Sequence, residues 1–166
     1  MSADIDGLLA RLRREAAASG YLLNPDGGFT RELVEGLAVN RERYGYPSCP
    51  CRLAEGDRAL DLDIVCPCDY RDADLSEHGC CFCALYVSPE VAAGTARAVP
   101  IPERRPSREE RDSAAAEADG SPPEALRGLS LPVWRCTVCG YLCARTDPPA
   151  LCPVCKAGRD RFRRFL

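Results

Sequence analysis

The 166-residue chain has a single histidine, a single methionine and no long apolar run. Nothing in it approaches the roughly eighteen consecutive apolar residues of a membrane span, so no membrane partner is expected. An export signal is missing too: Asp4 and Asp6 come early, and Leu8, Leu9 and Leu12 alternate with Arg11, Arg13 and Arg14. A cytoplasmic location is therefore expected. Charge of one sign is not in excess, since 22 Lys+Arg against 25 Asp+Glu leave −3, which gives no reason to expect nucleic acid. No internal repeat spans the chain, which excludes a repeat architecture.

What the chain has is cysteine, twelve of them. In a secreted mini-protein these would suggest a disulfide framework. In a reducing compartment, paired cysteines point to metal ligands or redox groups. Seven lie between Tyr44 and Tyr86, as Cys49-Pro50-Cys51, Cys66-Pro67-Cys68 and Cys81-Phe82-Cys83 with Cys80 beside them. Three Cys-x-Cys pairs are not the Cys-x-x-Cys turns of a zinc ribbon, nor the Cys-x-x-Cys-x-x-Cys run of bacterial ferredoxins. With an extended centre, each pair would point both sulfurs to one side, several ångströms apart. Pro50 and Pro67 bias Cys49 and Cys66 away from helix. The residues alone predict six or seven thiols converging on an iron–sulfur cluster, with sulfur left over.

The run from Asn40 to Cys51, Asn-Arg-Glu-Arg-Tyr-Gly-Tyr-Pro-Ser-Cys-Pro-Cys, followed by Cys-Pro-Cys and Cys-x-Cys, resembles the catalytic chain of ferredoxin:thioredoxin reductase. The similarity covers roughly Ile5 to Pro89. It implies a [4Fe–4S] cluster on Cys49, Cys66, Cys68 and Cys81, and a redox-active disulfide between Cys51 and Cys83. It further implies single electrons from ferredoxin or a similar donor, with Cys51 attacking the disulfide of a thioredoxin-like protein and Cys83 resolving the mixed disulfide. The chain departs from the plant-type pattern in three ways. Phe82 stands where histidine is usual, the loop between Cys68 and Cys81 is longer, and no counterpart of the accessory chain is present. His78 is a candidate replacement for the histidine as proton donor. Cys80 is an alternative to Cys81 as ligand, and Cys143 falls outside every motif.

Around the cysteines the periodicity predicts a mainly α small metalloprotein domain, helices and loops wrapped around the cluster, over residues 1–94. A helix over 4–18 uses Ile5, Leu8, Leu9, Leu12 and Ala16, with Asp4 as cap and Gly20 past its end. A second, over about 29–43, buries Phe29, Leu33, Val34, Leu37 and Ala38, with Asp26 or Thr30 as cap. Residues 57–65 read as a short helix or turn, and 69–79 as an acidic loop. Ser88 and Pro89 open a short helix. Residues 95–130 are rich in proline and alternating charge and read as a flexible linker, with a short helix near 108–118. About 37 residues of such a linker would span roughly 30–36 Å.

Residues 131–166 form a second unit. Cys136-Thr137-Val138-Cys139 and Cys152-Pro153-Val154-Cys155 are two Cys-x-x-Cys knuckles, four thiolates suited to one iron or to zinc. Trp134, Tyr141, Phe162 and Phe165 supply aromatic packing in a unit too small to be stable without metal. The Cys-x-x-Cys-Gly-Tyr start, Pro148-Pro149 and Cys-Pro-x-Cys ahead of a terminal phenylalanine resemble the small rubredoxin-like β/knuckle domains fused to rubrerythrins. Beside a cluster enzyme, that resemblance implies an electron relay. Two other readings are a non-catalytic zinc-binding interaction module and a one-electron carrier.

Overall fold

The computed structural model describes residues 4–117 and 130–165, without the side chains of 114–117. It contains five α-helices and two small antiparallel sheets among these residues. None of the helices is long and apolar enough to cross a membrane.

Helix α1 (Ile5–Ala18) starts where the Asp4 carboxylate accepts the Gly7 N–H at 2.9 Å, one of the orphan donors of a first turn. Helix α2 (Gly27–Tyr44) is capped in the same way by Asp26, which accepts from Phe29, and ends at Gly45 with φ +83°. A left-handed residue of this kind favours glycine and delivers Tyr46 to Cys51 back across the helix. Thr30, the other candidate cap, is buried and donates its hydroxyl to the Asn24 carbonyl. Between the helices, β1 (Leu22–Leu23) pairs antiparallel with β2 (Tyr86–Val87), which the short helix α4 (Pro89–Ala92) follows. Ala16, Leu33, Leu37, Ile64 and Leu85 form the apolar core together with Cys49, Cys81 and Cys83. Phe29 does not join it, being 38% exposed, because α2 begins two residues earlier than the periodicity predicts and its first turn clears the core.

The acidic stretch after Cys68 is not a loop. It contains α3 (Arg71–His78), with Asp72 and Asp74 in its first turn and Gly79 left-handed after its last. Carboxylates favour a helix N-terminus, and here they outweigh the lack of an apolar stripe.

The expected linker does not run free over its first half either. Residues 95–107 strap the first domain. Ile101 is buried against Cys80, Val87 and Val91. Arg104 donates to Asp74 at 2.9 Å and Arg105 to Asp63 at 2.8 Å. The strap is fixed by charge, since Asp61 and Asp74 are fully buried and buried carboxylates require partners. Helix α5 (Arg108–Glu117) follows, and the remainder of the expected linker, 118–129, lies outside the described residues.

Asp61 ties three segments together. It accepts from the Tyr46 hydroxyl at 2.6 Å, from the Glu55 and Gly56 N–H groups at 3.0 Å, and from Arg105 at 3.2 Å. Burial pushes its carboxyl pKa up, but these bonds outweigh burial and hold it below the ordinary value. A depressed carboxyl pKa contributes stability above the unfolded value, which is lost as pH falls through the folded one. Asp61→Ala should therefore cost about 3 kcal/mol of stability at neutral pH. An unchanged urea midpoint would contradict that.

The tail is a three-stranded antiparallel sheet in the order β4-β3-β5, with β3 (Val133–Cys136) central, β4 (Leu142–Ala144) and β5 (Phe162–Arg164). Phe162 is buried among the four knuckle cysteines, with Trp134 and Tyr141 packed at the margin. Phe165 differs from expectation, being 50% exposed beyond the last strand.

Candidate functional site

Each cysteine pair reaches the site through a local turn or bridge. Cys49 donates its N–H to the Ile64 carbonyl and Cys66 donates to that of Pro47, so the first two pairs meet across a short antiparallel bridge between Ser48 and Val65. Cys49-Pro50-Cys51-Arg52 is a turn, with Arg52 N–H bonded to the Cys49 carbonyl. Cys81-Phe82-Cys83-Ala84 is another, closed from Ala84 N–H to Cys81 at 2.7 Å. The extended Cys-x-Cys geometry is therefore corrected at both places. Pro50 suits the second position of a turn, and Ala84 takes a left-handed φ of 55°. Gly36 lets α2 approach the first turn, since a Cβ there would meet Pro50 at 2.7 Å.

These turns gather six sulfurs. Cys49, Cys68, Cys81 and Cys83 are buried, Cys66 is partly buried, and Cys51 is exposed. The Cys66 thiol is pushed well up by burial, and the neighbouring charges of Cys68, Cys49 and Cys81 add to the shift. Four soft sulfur donors, those of Cys49, Cys66 and Cys81 packed with the apolar core and that of Cys68 buried beside Arg52, fit an iron–sulfur cluster. Cys83 is the hub of the group. Its sulfur lies 3.7 Å from that of Cys81, and it lines one cleft with Cys51. Interaction with the neighbouring thiols of Cys49, Cys51 and Cys81, reinforced by burial, pushes the Cys83 thiol up. The Cys51 pKa is lowered to about 7, by the Cys83 hydrogen bond and the Arg52 charge working against burial.

Cys51 and Cys83 open onto a cleft of about 640 Å³ walled by Phe29, Phe82, Arg97 and Val99. His78 is not among its lining residues. It sits in the last turn of α3, paired with Glu77 at 3.7 Å. Cys80 is fully buried and faces the strap, donating to the Val99 carbonyl at 3.7 Å. Sequence reasoning missed Arg52 and the strap, because it weighed apolar periodicity and cysteine spacing, and neither registers a buried cation.

In the tail, the sulfurs of Cys136, Cys139, Cys152 and Cys155 all lie within 4.8 Å of one another, and two of the pairs are 3.6 Å apart. A metal–sulfur bond of ~2.3 Å separates tetrahedral sulfurs by ~3.8 Å, so this set suits a single ion. Cys143 lies outside it, on β4.

The tail docks directly on the first domain. Arg161 is 3% exposed and donates to the Val65 carbonyl at 2.7 Å. It also pairs with Asp69, the residue after Cys68, and Thr137 donates to the same carboxylate at 2.8 Å. Arg58 pairs with Asp160 nearby. Tyr21 packs against the cores of both units. Cys66 of the first unit and Cys155 of the second line one cavity of about 380 Å³.

Comparison with known proteins finds two families along the chain. Residues 3–104 match the family described as ferredoxin thioredoxin reductase catalytic beta chain, and residues 134–163 match the rubrerythrin, rubredoxin-like domain. The ferredoxin-thioredoxin reductase catalytic chain of Porphyra purpurea is 32% identical over 78 residues, covering 45% of this chain and 62% of that one. The corresponding chain of Synechocystis sp. is 34% identical over 79 residues, covering 46% and 64%. Reverse rubrerythrin-1 of Clostridium acetobutylicum is 52% identical over 29 residues, covering 18% and 16%. The chain thus spans between about half and just under two thirds of the length of the catalytic chains it matches.

Proposed function

Because the chain belongs to the ferredoxin thioredoxin reductase catalytic beta chain family, we propose that it is a cytoplasmic iron–sulfur disulfide reductase acting on thioredoxin or a similar protein disulfide. In this reading a [4Fe–4S] cluster on Cys49, Cys66, Cys68 and Cys81 supplies single electrons, and one iron on Cys136, Cys139, Cys152 and Cys155 relays them from ferredoxin or a similar donor.

The residues divide the remaining work. Cys51, exposed and with its pKa near neutrality, is the sulfur a partner protein can reach. Its thiolate attacks one sulfur of the target disulfide. The target S–S bond breaks, its second sulfur leaves as a thiolate that takes a proton, and a mixed disulfide forms on Cys51. Cys83 then attacks the Cys51 sulfur, the Cys51–target S–S bond breaks, the other target sulfur leaves with the proton that Cys83 gives up, and a Cys51–Cys83 disulfide closes. Two electrons and one proton reopen that disulfide, returning Cys51 as thiolate and Cys83 as thiol. Phe82 carries no proton donor and His78 does not line the cleft, so protons enter from solvent on the Cys51 side.

The observation that supports this reading most is the placement of Cys83. Its sulfur lies 3.7 Å from that of the buried Cys81, and it lines the same cleft as the exposed Cys51. A thiol in that position joins the target-facing sulfur to the cluster ligands. The relay is supported by the docked tail and by the cavity that Cys66 and Cys155 share. The division we propose keeps residues 131–166 as the relay domain and adds the strap to the catalytic domain of 1–94.

Metal analysis of anaerobically purified protein tests the reading. About five irons and four acid-labile sulfides per chain are expected, from one [4Fe–4S] cluster and one tail iron. A colourless protein holding only zinc would overturn it in favour of an interaction module.

A further inference from the structure

Arg52 follows the exposed Cys51 and turns inward, with its side chain 1% exposed. Groups from several segments fix its guanidinium. Nη1 donates to Cys68 Sγ at 3.2 Å. Nε donates to the two Glu103 oxygens at 3.0 and 3.1 Å, and Nη2 lies 2.9 Å from Glu103 Oε1. Asp74 Oδ2 is 3.7 Å from Nη2. The guanidinium carbon stands 4.8 Å from the Tyr70 ring centre and 4.5 Å from that of Phe82.

A guanidinium is not neutralised inside a protein, so this is a permanent buried charge. Pairing with Glu103 and Asp74 explains how the charge is tolerated. It does not explain why one arm is aimed at a sulfur. The strap is part of the arrangement, because Glu103 reaches Arg52 from there while Arg104 and Arg105 anchor it on either side of the site. Phe82 supplies one of the aromatic walls, in the position where the family pattern has histidine.

A positive charge and a hydrogen bond at a metal-bound sulfur stabilise the more reduced, more negative state of the centre. We propose that Arg52 is a positioning residue that holds its charge on the Cys68 sulfur and thereby raises the reduction potential of the centre Cys68 ligates. The consequence is directional: the centre beside the disulfide accepts electrons from the tail more readily than it would without Arg52. The inference rests on the reading of Cys68 as a cluster ligand.

Redox titration of the full-length holoprotein, followed by electron paramagnetic resonance or visible absorbance, tests it. Arg52→Gln should lower the midpoint potential while iron and sulfide content stay at the wild-type level. Arg52→Lys keeps the charge but not the fork, and should give a smaller shift in the same direction. An Arg52→Gln protein with full cluster content and the wild-type potential overturns the proposal. If the glutamine variant loads no cluster, the lysine variant decides, and a wild-type potential there overturns the proposal equally. The ligand reading fails separately, by full cluster content in Cys68→Ala.

Discussion

Cys51→Ser should abolish reduction of a thioredoxin-type disulfide, by at least ~10³-fold, because a serine hydroxyl is no substitute for a thiolate in disulfide exchange. Iron and sulfide content should remain unchanged. Cys51 is exposed at the mouth of its cleft, whereas the sulfurs assigned to the cluster are buried or partly buried in the core. Two outcomes would contradict the assignment. Retained turnover would mean that another thiol carries the exchange, and the buried Cys80 facing the strap is poorly placed for that. Loss of cluster absorbance would mean that Cys51 is itself a ligand. Replacing any of the four tail knuckle cysteines should leave direct chemical reduction of the Cys51–Cys83 disulfide intact, so the defect of Cys51→Ser is local to exchange.

The second large effect concerns the tail. Zinc in place of iron keeps the tetrahedral thiolate site but cannot change oxidation state. The docking contacts of Arg161 and Thr137 do not involve the metal, so the exchange alters electron passage and little else. Turnover with a protein donor should fall at least ~10-fold in the zinc form, because tethering holds the relay at an effective concentration on the order of millimolar that no free route matches. Turnover with a strong small reductant should be unaffected. Equal rates with the protein donor in both metal forms would make the tail a structural or recognition element. The docked arrangement sharpens this expectation. A freely swinging linker would permit many approaches, whereas Arg161 holds the tail against the segment between Val65 and Asp69.

Much of this was legible in the residues because the signals were local. Asp4, Gly20, Asp26 and Ser88 mark helix ends by backbone rules that act within a turn, and the two knuckles declare a four-thiolate site by spacing alone. The gathering of Cys49, Cys66, Cys81 and Cys83 at one core also follows from spacing, once the family pattern is recognised. The turn conformation of the pairs was less legible, since Pro50 is compatible with either extended chain or a turn, and only the bridge from Ser48 to Val65 and the approach of Gly36 to Pro50 select the turn. Helix α3 and the strap escaped notice for another reason. They are held by carboxylate–arginine pairs between distant segments, such as Arg104 with Asp74 and Arg105 with Asp61 and Asp63. Hydropathy periodicity carries no record of such pairing. The docking of the tail through Arg161 was invisible for the same reason, and so was Arg52 behind Cys51.

The central claim is that Cys51 meets the target and Cys83 resolves the product. Mass spectrometry of pre-reduced Cys83→Ser, incubated anaerobically with a disulfide-form thioredoxin and no added reductant, tests it most directly. Without the resolving thiol, the account predicts a mixed disulfide that accumulates and maps to Cys51. Normal turnover by this variant, or an adduct on any other cysteine, would contradict it.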